Sequence, residues 1–128
     1  MCATMFSPNS EHLIWVAPSI KRAKSYVTRL LPMAVEAGFV GVHGLEPWSV
    51  SLKAVKDMYG SQLVLMGNVD VRLLCASDLE AVLGDMQRSV QEGSGGGYMF
   101  SSCNSIFPGM NPEAVQMYFK RQSDLLAG

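Results

Sequence analysis

Polar side chains that could bind or react with a small molecule follow three short apolar stretches of this chain. The carboxyl ends of parallel strands converge on one rim of a sheet, and in α/β folds that rim carries the site. We therefore expect these side chains to line one cleft. They are His43 and Glu46 at the end of the first stretch, Asn68 and Asp70 at the end of the second, and Ser101, Ser102, Cys103 and Asn104 at the end of the third.

Each of these residues also has a purely structural interpretation. His43 is either a general base or ligand, or a hydrogen-bonded structural group at a strand end. Glu46, next to Pro47, either faces the cleft or favours the start of the following helix through the helix dipole. Asn68 and Asp70 either bind a ligand or organise a turn through local backbone hydrogen bonds.

Cys103 could act as a nucleophile or a soft metal ligand, but no His/Cys cluster surrounds it in the sequence, which favours a plain thiol. The chain has three cysteines, Cys2, Cys75 and Cys103, at wide spacings. This pattern fits neither a disulfide framework nor a zinc knuckle, and it predicts no metal and a reduced, cytoplasmic setting.

The three apolar stretches have the length and composition of buried strands. Residues 39–44 are apolar, β-branched and bounded by glycines, and residues 98–101 form the third stretch. Residues 63–66 have no alternation, as expected for a strand of a parallel sheet that is buried on both faces. Glycines at 93–97 precede the third strand. They cannot form a phosphate loop of the usual kind, because such loops follow a strand and open a helix.

Helices are predicted around these strands. One begins after Asn9-Ser10 and uses Leu13, Ile14, Val16 and Ala17, and a second can begin at Pro18. Others cover about 30–37, start at Ser49 or Ser51 and run to Tyr59, start with a capping box at 77–80, and follow Asn111-Pro112 to about Leu126. The last places Val115, Tyr118, Phe119 and Gln122 on one side. The alternation indicates α/β topology with a parallel sheet, either an incomplete barrel or an incomplete open sheet.

Composition narrows the class of partners. The chain has 128 residues, 48% of them apolar and only 16% charged, which suits a chain whose surface is partly covered. A net charge of −1 points to neither nucleic acid nor an anionic membrane, although Lys21, Arg22 and Lys24 form either a solvated face or an anion contact. We expect no membrane span and no secretory signal in residues 1–9.

Several motifs together resemble the C-terminal region of the uroporphyrinogen decarboxylase family. They are EAGFVGVHGLEP at 36–47, GNVD at 67–70 before a capped helix, GGGYMFSS at 95–102, and Asn111-Pro112-Glu113 before the last helix. The resemblance covers roughly residues 33–128 and more weakly 6–24. Each motif is modest, and their order and spacing make the signal specific.

The resemblance implies the C-terminal part of a TIM (β/α)8 barrel, with three parallel strands alternating with helices. Residues 1–32 would be a helical lead-in, and residues 33–128 the last three β/α units. The family includes cofactor-free decarboxylases of uroporphyrinogen, in heme biosynthesis, and zinc-dependent methyltransferases that use corrinoid or thiol carriers. By this resemblance, Asn68, Asp70, Asn104, His43 and Glu46 would bind or orient a porphyrinogen-like substrate, with no cofactor.

The sequence departs from both catalytic branches of that family. Asn104 stands where the decarboxylases have a histidine, and Cys103 lies one residue from the position of a methyltransferase zinc ligand. A strand and polar loop that the family has near residues 23–28 is expected to be absent. The arginines and aspartate that hold and protonate the porphyrinogen belong to an N-terminal half with no counterpart here.

Three functions therefore stay open. The first is decarboxylation of a porphyrinogen-like polycarboxylate by a chain that is incomplete as a catalyst alone. The second is a zinc-dependent methyltransferase, for which His43 and Cys103 supply too few ligands. The third is a non-catalytic fragment or subunit that associates with itself or with an N-terminal barrel partner.

Overall fold

The computed structural model describes the backbone of residues 4–5, 13–16 and 26–127 and the side chains of residues 27–127. Strands and helices follow one another along the chain. The strands are β1 (Thr4–Met5), β2 (Leu13–Val16), β3 (Phe39–His43), β4 (Val64–Val69) and β5 (Tyr98–Ser102). The helices are α1 (Tyr26–Glu36), α2 (Leu52–Tyr59), α3 (Leu79–Gly93) and α4 (Pro112–Ala127), with a short 3₁₀ helix at Leu73–Cys75.

The five strands form one sheet in the order β1-β2-β3-β4-β5. The neighbours β2 to β5 are parallel, and β1 is antiparallel to β2. His43 pairs with Met66, and Val69 pairs with Ser102, so the carboxyl ends of β3, β4 and β5 lie along one edge. The three predicted parallel strands are confirmed, and the α/β alternation is that of part of a TIM-barrel-like fold.

The helix predicted over Leu13, Ile14 and Val16 is wrong, because these residues form strand β2 and pair with β3. A short apolar run has no periodicity that separates a strand from a buried helix, and pairing with a neighbouring strand decides between them. A fourth parallel strand thus precedes α1. Residues 26–28, which belong to the segment where the family's strand was expected to be absent, are the start of α1. The predicted helix start at Pro18 and the basic cluster at Lys21, Arg22 and Lys24 lie outside the described residues.

Strand β4 is longer than its sequence indicates. Gly67 and Asn68 were predicted to end it, but the ladder with β5 continues to Val69. Gly67 has φ +135°, a conformation that side-chain-bearing residues rarely adopt, so the strand changes course at this glycine without leaving the sheet. The polar residues that follow are therefore held by the sheet.

Side-chain caps fix the starts of the helices that follow the strands. Ser51 accepts a hydrogen bond from the Ala54 amide at 3.3 Å, which makes it the N-cap of α2. Asp78, and not Ser77 as the capping-box spacing suggested, caps α3 by accepting from Ala81 at 3.0 Å. An aspartate is as good a cap as a serine and adds a charge that the helix dipole favours.

The last helix also begins where the sequence predicts. Asn111 Oδ1 accepts from the Glu113 amide at 3.0 Å, and Pro112 occupies the first helical position. The predicted apolar side of α4 is partly wrong: Tyr118 is buried, whereas Phe119 is 57% exposed. Tyr118 stacks on Phe100 of β5. Successive residues of a helix point in directions about 100° apart, so Phe119 points away from the strand that Tyr118 contacts.

The core has two apolar clusters. One lies between α1, α2 and strands β3 and β4, with Leu31, Val42, Leu52 and Leu65 fully buried. The other lies between α3, α4 and the ends of β4 and β5. Its members include Val69, Leu74, Val82, Met86, Cys103, Ala114 and Tyr118. Among the described residues, no helix is long and apolar enough to cross a membrane.

A pair of glycine-to-alanine changes tests the turn that leads into β5. Gly97 has φ +66°, and a Cβ there would lie 2.6 Å from the carbonyl oxygen of Gly60, whereas a Cβ at Gly84 in α3 meets nothing within 4 Å. We expect Gly97→Ala to lower the free energy of unfolding by about 1–3 kcal/mol. Gly84→Ala should raise it by about 0.5–1 kcal/mol. Urea unfolding followed by circular dichroism measures both, and equal effects would contradict this account of the turn.

Candidate functional site

The ends of strands β3 and β5 are joined directly across the rim. Nε2 of His43 donates a hydrogen bond to the carbonyl oxygen of Ser102 at 3.2 Å. This bond places the proton on Nε2, so Nδ1 is the acceptor nitrogen when the ring is neutral. His43 is half-buried, which leaves part of the imidazole accessible from the rim.

Asn68 lies at the end of β4, and its side chain is bonded to protein at both ends of the amide. Nδ2 donates to the carbonyl oxygen of Leu45 at 2.6 Å, and Oδ1 accepts from Arg88 Nη1 at 2.9 Å. The residue has no exposed surface. Asn68 thus joins β4 to the loop after β3 and to helix α3. Its role is to hold these elements in place, because its amide has no surface left for a ligand.

Arg88 of α3 donates hydrogen bonds to several acceptors around the end of β4. Its guanidinium donates to Asp85 at 2.7 Å and to Glu92 at 3.1 Å, and Nη2 reaches the carbonyl oxygen of Asn68 at 3.2 Å. Burial opposes the charge, but the hydrogen bond and charge of Asp85, together with Glu92, outweigh it and raise the pKa of Arg88. The group therefore stays charged and fixed.

Asp70 follows the end of β4 and is held from both sides. Its backbone amide donates to Asp85 Oδ2 at 2.8 Å, and its carboxylate accepts from the backbone amide of Arg72 at 2.9 Å. The Arg72 guanidinium adds a forked pair of bonds, from Nε at 2.9 Å and from Nη2 at 2.6 Å. The turn predicted at Asp70 is present, and the carboxylate at the rim is 12% exposed.

Arg72 in turn lies over the ring of Trp48, with its guanidinium carbon 4.0 Å from the ring centroid. Trp48 is half-buried and packs against the second apolar cluster. The hydrogen bonds to Asp70 raise the pKa of Arg72 against a small opposing effect of burial. Loop residues after two strands, Trp48 after β3 and Asp70 and Arg72 after β4, therefore meet at the rim.

Glu46 and Cys103 lie beside this group. Glu46 is 3% exposed, and its negative charge acts on both Cys103 and Arg72. Burial raises the pKa of the Cys103 thiol to about 11, and the charges of Asp70 and Glu46 act in the same direction. Cys103 is therefore a neutral thiol at physiological pH, whereas a cysteine nucleophile reacts as the thiolate.

The loop after β5 is polar but less enclosed. Ser102 Oγ donates to the carbonyl oxygen of Asn104 at 2.8 Å, and Asn104 Oδ1 accepts from the Ser105 amide at 2.8 Å. Asn104 is half-buried, and the loop beyond it is exposed. Of the five predicted contact residues, His43, Glu46, Asp70 and Asn104 thus occupy the rim or its wall, while Asn68 lies behind it.

Two other features of the described part of the chain bear on ligands. Within residues 27–127, no three His, Cys, Asp or Glu side chains are grouped so that they could hold a metal ion. A groove of about 550 Å³ lies between α2 and α3. It is lined by Lys53, Lys56, Asp57, Arg88, Gln91, Glu92 and Ser94, and Lys56 also bonds to Gly96 before β5. None of the five predicted contact residues lines it.

Sequence reasoning did not single out Trp48, Arg72 or Arg88 as parts of the site. Arg72 could have been found, because an arginine two residues after an aspartate in a turn is placed to bond its carboxylate. Arg88 could not, since its place opposite Asn68 depends on how α3 packs against β4. The hydrogen bond between Asp85 and the Asp70 amide depends on the same packing of α3 against β4, so the sequence did not indicate it either.

The fold and the rim define an α/β barrel-type protein whose polar groups lie at the carboxyl ends of parallel strands. The family model for Uroporphyrinogen decarboxylase (URO-D) matches residues 18–124 of the chain. The chain therefore belongs to the uroporphyrinogen decarboxylase family. A search of curated proteins returned no match.

Two asparagines test the division between residues that support the rim and residues that line it. Asn68→Ala removes a fully buried amide and leaves the Leu45 carbonyl and part of Arg88 unpaired, so we expect a loss of about 2–3 kcal/mol in the free energy of unfolding. Asn104→Ala, in a loop, should cost less than about 0.5 kcal/mol. Chemical denaturation measures both. A small effect at Asn68 would show that its bonds do not hold β4.

Alkylation of the two described cysteines tests the electrostatics of the rim. Cys75 is exposed and Cys103 is buried. At pH 8, only about one in a thousand Cys103 thiols with a pKa of about 11 is ionised, and the side chain is also buried, so iodoacetamide should label the exposed Cys75 at least about tenfold faster. Peptide mass spectrometry gives the rates. Comparable labelling at pH 8 would contradict a neutral, shielded Cys103.

Proposed function

We propose that this chain forms part of the substrate cleft of an enzyme that decarboxylates a porphyrinogen-like polycarboxylate, of the kind made in heme and porphyrin biosynthesis. The observation that carries the proposal is the His43–Ser102 hydrogen bond, which joins the ends of β3 and β5, in a chain of this family. Around that point lie an imidazole, two acidic side chains and an arginine. Such a set suits a substrate that has both pyrrole N–H groups and carboxylate arms.

The chemistry explains why acidic residues would be useful there. In the reaction, a proton adds to the pyrrole α-carbon next to the ring carbon that bears the side arm, which makes the ring cationic. The C–C bond to the carboxylate then breaks, carbon dioxide leaves, and the electron pair forms an exocyclic C=C bond and flows through the ring to its nitrogen. The exocyclic carbon takes up a proton to become a methyl group, and the α-carbon gives up its proton to restore the pyrrole. Asp70 and Glu46 place negative charge at the rim, and fixed charge in a partly dry site stabilises a developing cation.

The five residues expected to bind substrate take different roles in this proposal. His43, Asp70 and Asn104 contact or orient the substrate, with His43 Nδ1 placed to accept a hydrogen bond. Glu46 acts through its charge from within the wall. Asn68 acts indirectly, because its amide holds the strand end in place.

We propose that the chain is incomplete as a catalyst by itself. None of the rim residues is assigned the protonation of the pyrrole, and the four parallel strands described are half of the eight in a closed barrel. A second polypeptide carrying the N-terminal part of a barrel, or a second copy of the chain, would supply the remaining wall. No cofactor, nucleic acid or membrane is part of the proposal, and the free Cys75 and Cys103 suit the cytoplasm.

The non-catalytic alternative has one observation in its favour. Parallel sheets are normally covered on both faces, yet Val64 at 36% and Met99 at 52% exposure lie on neighbouring strands of this sheet. A subunit that completes a barrel with a partner would cover them. The zinc methyltransferase alternative has less support, because within residues 27–127 His43 and Cys103 are not joined by a third ligand in a group that could hold zinc.

Binding and turnover are tested separately. We expect the purified chain to bind uroporphyrin saturably, as measured by porphyrin fluorescence, and to produce no coproporphyrinogen from uroporphyrinogen under anaerobic conditions. His43→Ala should weaken binding about tenfold, since it removes a group from the meeting point of β3 and β5.

Lys120→Ala is the matched control, because Lys120 is exposed on α4 and should leave binding unchanged. Absence of saturable binding would contradict the proposed substrate class. Turnover by the chain alone would contradict its incompleteness as a catalyst.

A further inference from the structure

We infer that Arg72 binds a carboxylate arm of the substrate, with Trp48 as the surface on which the guanidinium rests. This inference deepens the proposed function and rests on it. It assigns to this chain a carboxylate-binding group of its own, at a position that the sequence motifs did not indicate.

The guanidinium of Arg72 is held on one edge. Nε and Nη2 bond to the two carboxylate oxygens of Asp70, and the Asp70 backbone amide is itself anchored to Asp85 on α3. A long side chain normally loses rotamer freedom when it binds a ligand. Here that freedom is already lost, so a ligand gains the contact without ordering the side chain.

One face of the guanidinium is also fixed. Trp48 lies 4.0 Å below its central carbon, and packing against the second apolar cluster keeps the indole in place. A guanidinium on an aromatic face keeps its in-plane N–H groups directed outward. The stacking on Trp48 and the bonds to Asp70 therefore hold the plane of the guanidinium N–H groups in one orientation.

The Arg72 guanidinium still has N–H groups that could donate hydrogen bonds to a ligand. A guanidinium has five N–H groups, and the bonds to Asp70 use the Nε side and one Nη2 proton. Within the described part of the chain, Nη1 of Arg72 donates no hydrogen bond, in contrast to Nη1 of Arg88, and the Arg72 side chain is 61% exposed. A carboxylate can approach Nη1 on the side away from Asp70, where repulsion between the two anions is least.

Comparison with the neighbouring arginines separates this role from general surface charge. Arg88 is 32% exposed and donates to Asp85, Glu92 and Asn68, so its donors are occupied. Arg121 is 53% exposed, but it lies on α4 with one 3.4 Å bond to Asp124. Arg72 combines exposure, a fixed orientation and a place at the carboxyl ends of the strands.

The test uses the full chain and tricarballylate, an aliphatic tricarboxylate that has no pyrrole and cannot undergo the proposed reaction. Two-dimensional NMR of the indole N–H groups and the arginine Nε–H groups reports on Trp48 and Arg72 directly. We expect saturable shifts of both signals. Arg72→Gln should weaken binding at least tenfold, and Arg72→Lys should lose part of the affinity, since lysine keeps the charge but not the fork.

Arg121→Gln is the control variant and should bind as the unmodified chain does. Shifts that sodium chloride reproduces at matched ionic strength, or that persist unchanged in Arg72→Gln, would overturn the inference. Dispersed amide signals in each variant establish that it is folded. Loss of the tricarballylate response with uroporphyrin binding intact would remove the role of Arg72 and leave the proposed function standing, whereas the reverse result would remove the porphyrinogen-like substrate.

Discussion

The site depends on one guanidinium, that of Arg88, which fixes the end of strand β4. It is half-buried between α2 and α3 and bonds to both the side chain and the backbone carbonyl of Asn68. A partly buried charge is stable only when its partners are close and well aligned, and Asp85 and Glu92 meet that condition. Helix α3 and strand β4 are thereby joined by polar bonds as well as by apolar packing.

Two hydrogen-bonded connections extend from Arg88 to the rim, one through Asp85 and one through Asn68. Asp85, held by Arg88, accepts the backbone amide of Asp70, and Asn68 donates to Leu45 in the loop after β3. The carboxylate of Asp70 and the loop that carries Glu46 and Trp48 are therefore placed by the same helix. Gly67 makes this possible, because its positive φ redirects the strand just before Asn68. The rim is held by hydrogen bonds at β3 and β4 and is more exposed after β5, where Asn104 lies.

The sequence predicted the strands that have glycines at their ends and the helices that begin at good caps, because those signals are local. Residues 39–43 and 98–102 and the start of α4 at Asn111-Pro112 are examples. Leu13–Val16 was misassigned because four apolar residues carry no period, and only the partner strand β3 decides their conformation. The ending of β4 was misplaced for a related reason: Gly67-Asn68 has the composition of a turn, but the pairing with β5 holds it in the sheet.

The site shows the same division. The positions of His43, Glu46, Asp70 and Asn104 at or after strand ends were predictable, because the order of elements alone places those ends on one rim. The bonds of Asn68 were not, since they run to a helix residue twenty positions away and to a loop carbonyl. The stacking of Arg72 on Trp48 likewise joins two loops whose separation only the folded sheet determines.

The central claim is that Arg88 positions the end of β4 through Asn68. A double-mutant cycle with Asn68→Ala, Arg88→Met and the combined variant tests it most directly, with the free energy of unfolding as the measured quantity. The account predicts a coupling energy of about 1–3 kcal/mol between the two residues, because each loses its partner in the other's absence. Effects that add to within about 0.5 kcal/mol would contradict it, since they would show that the two side chains act independently.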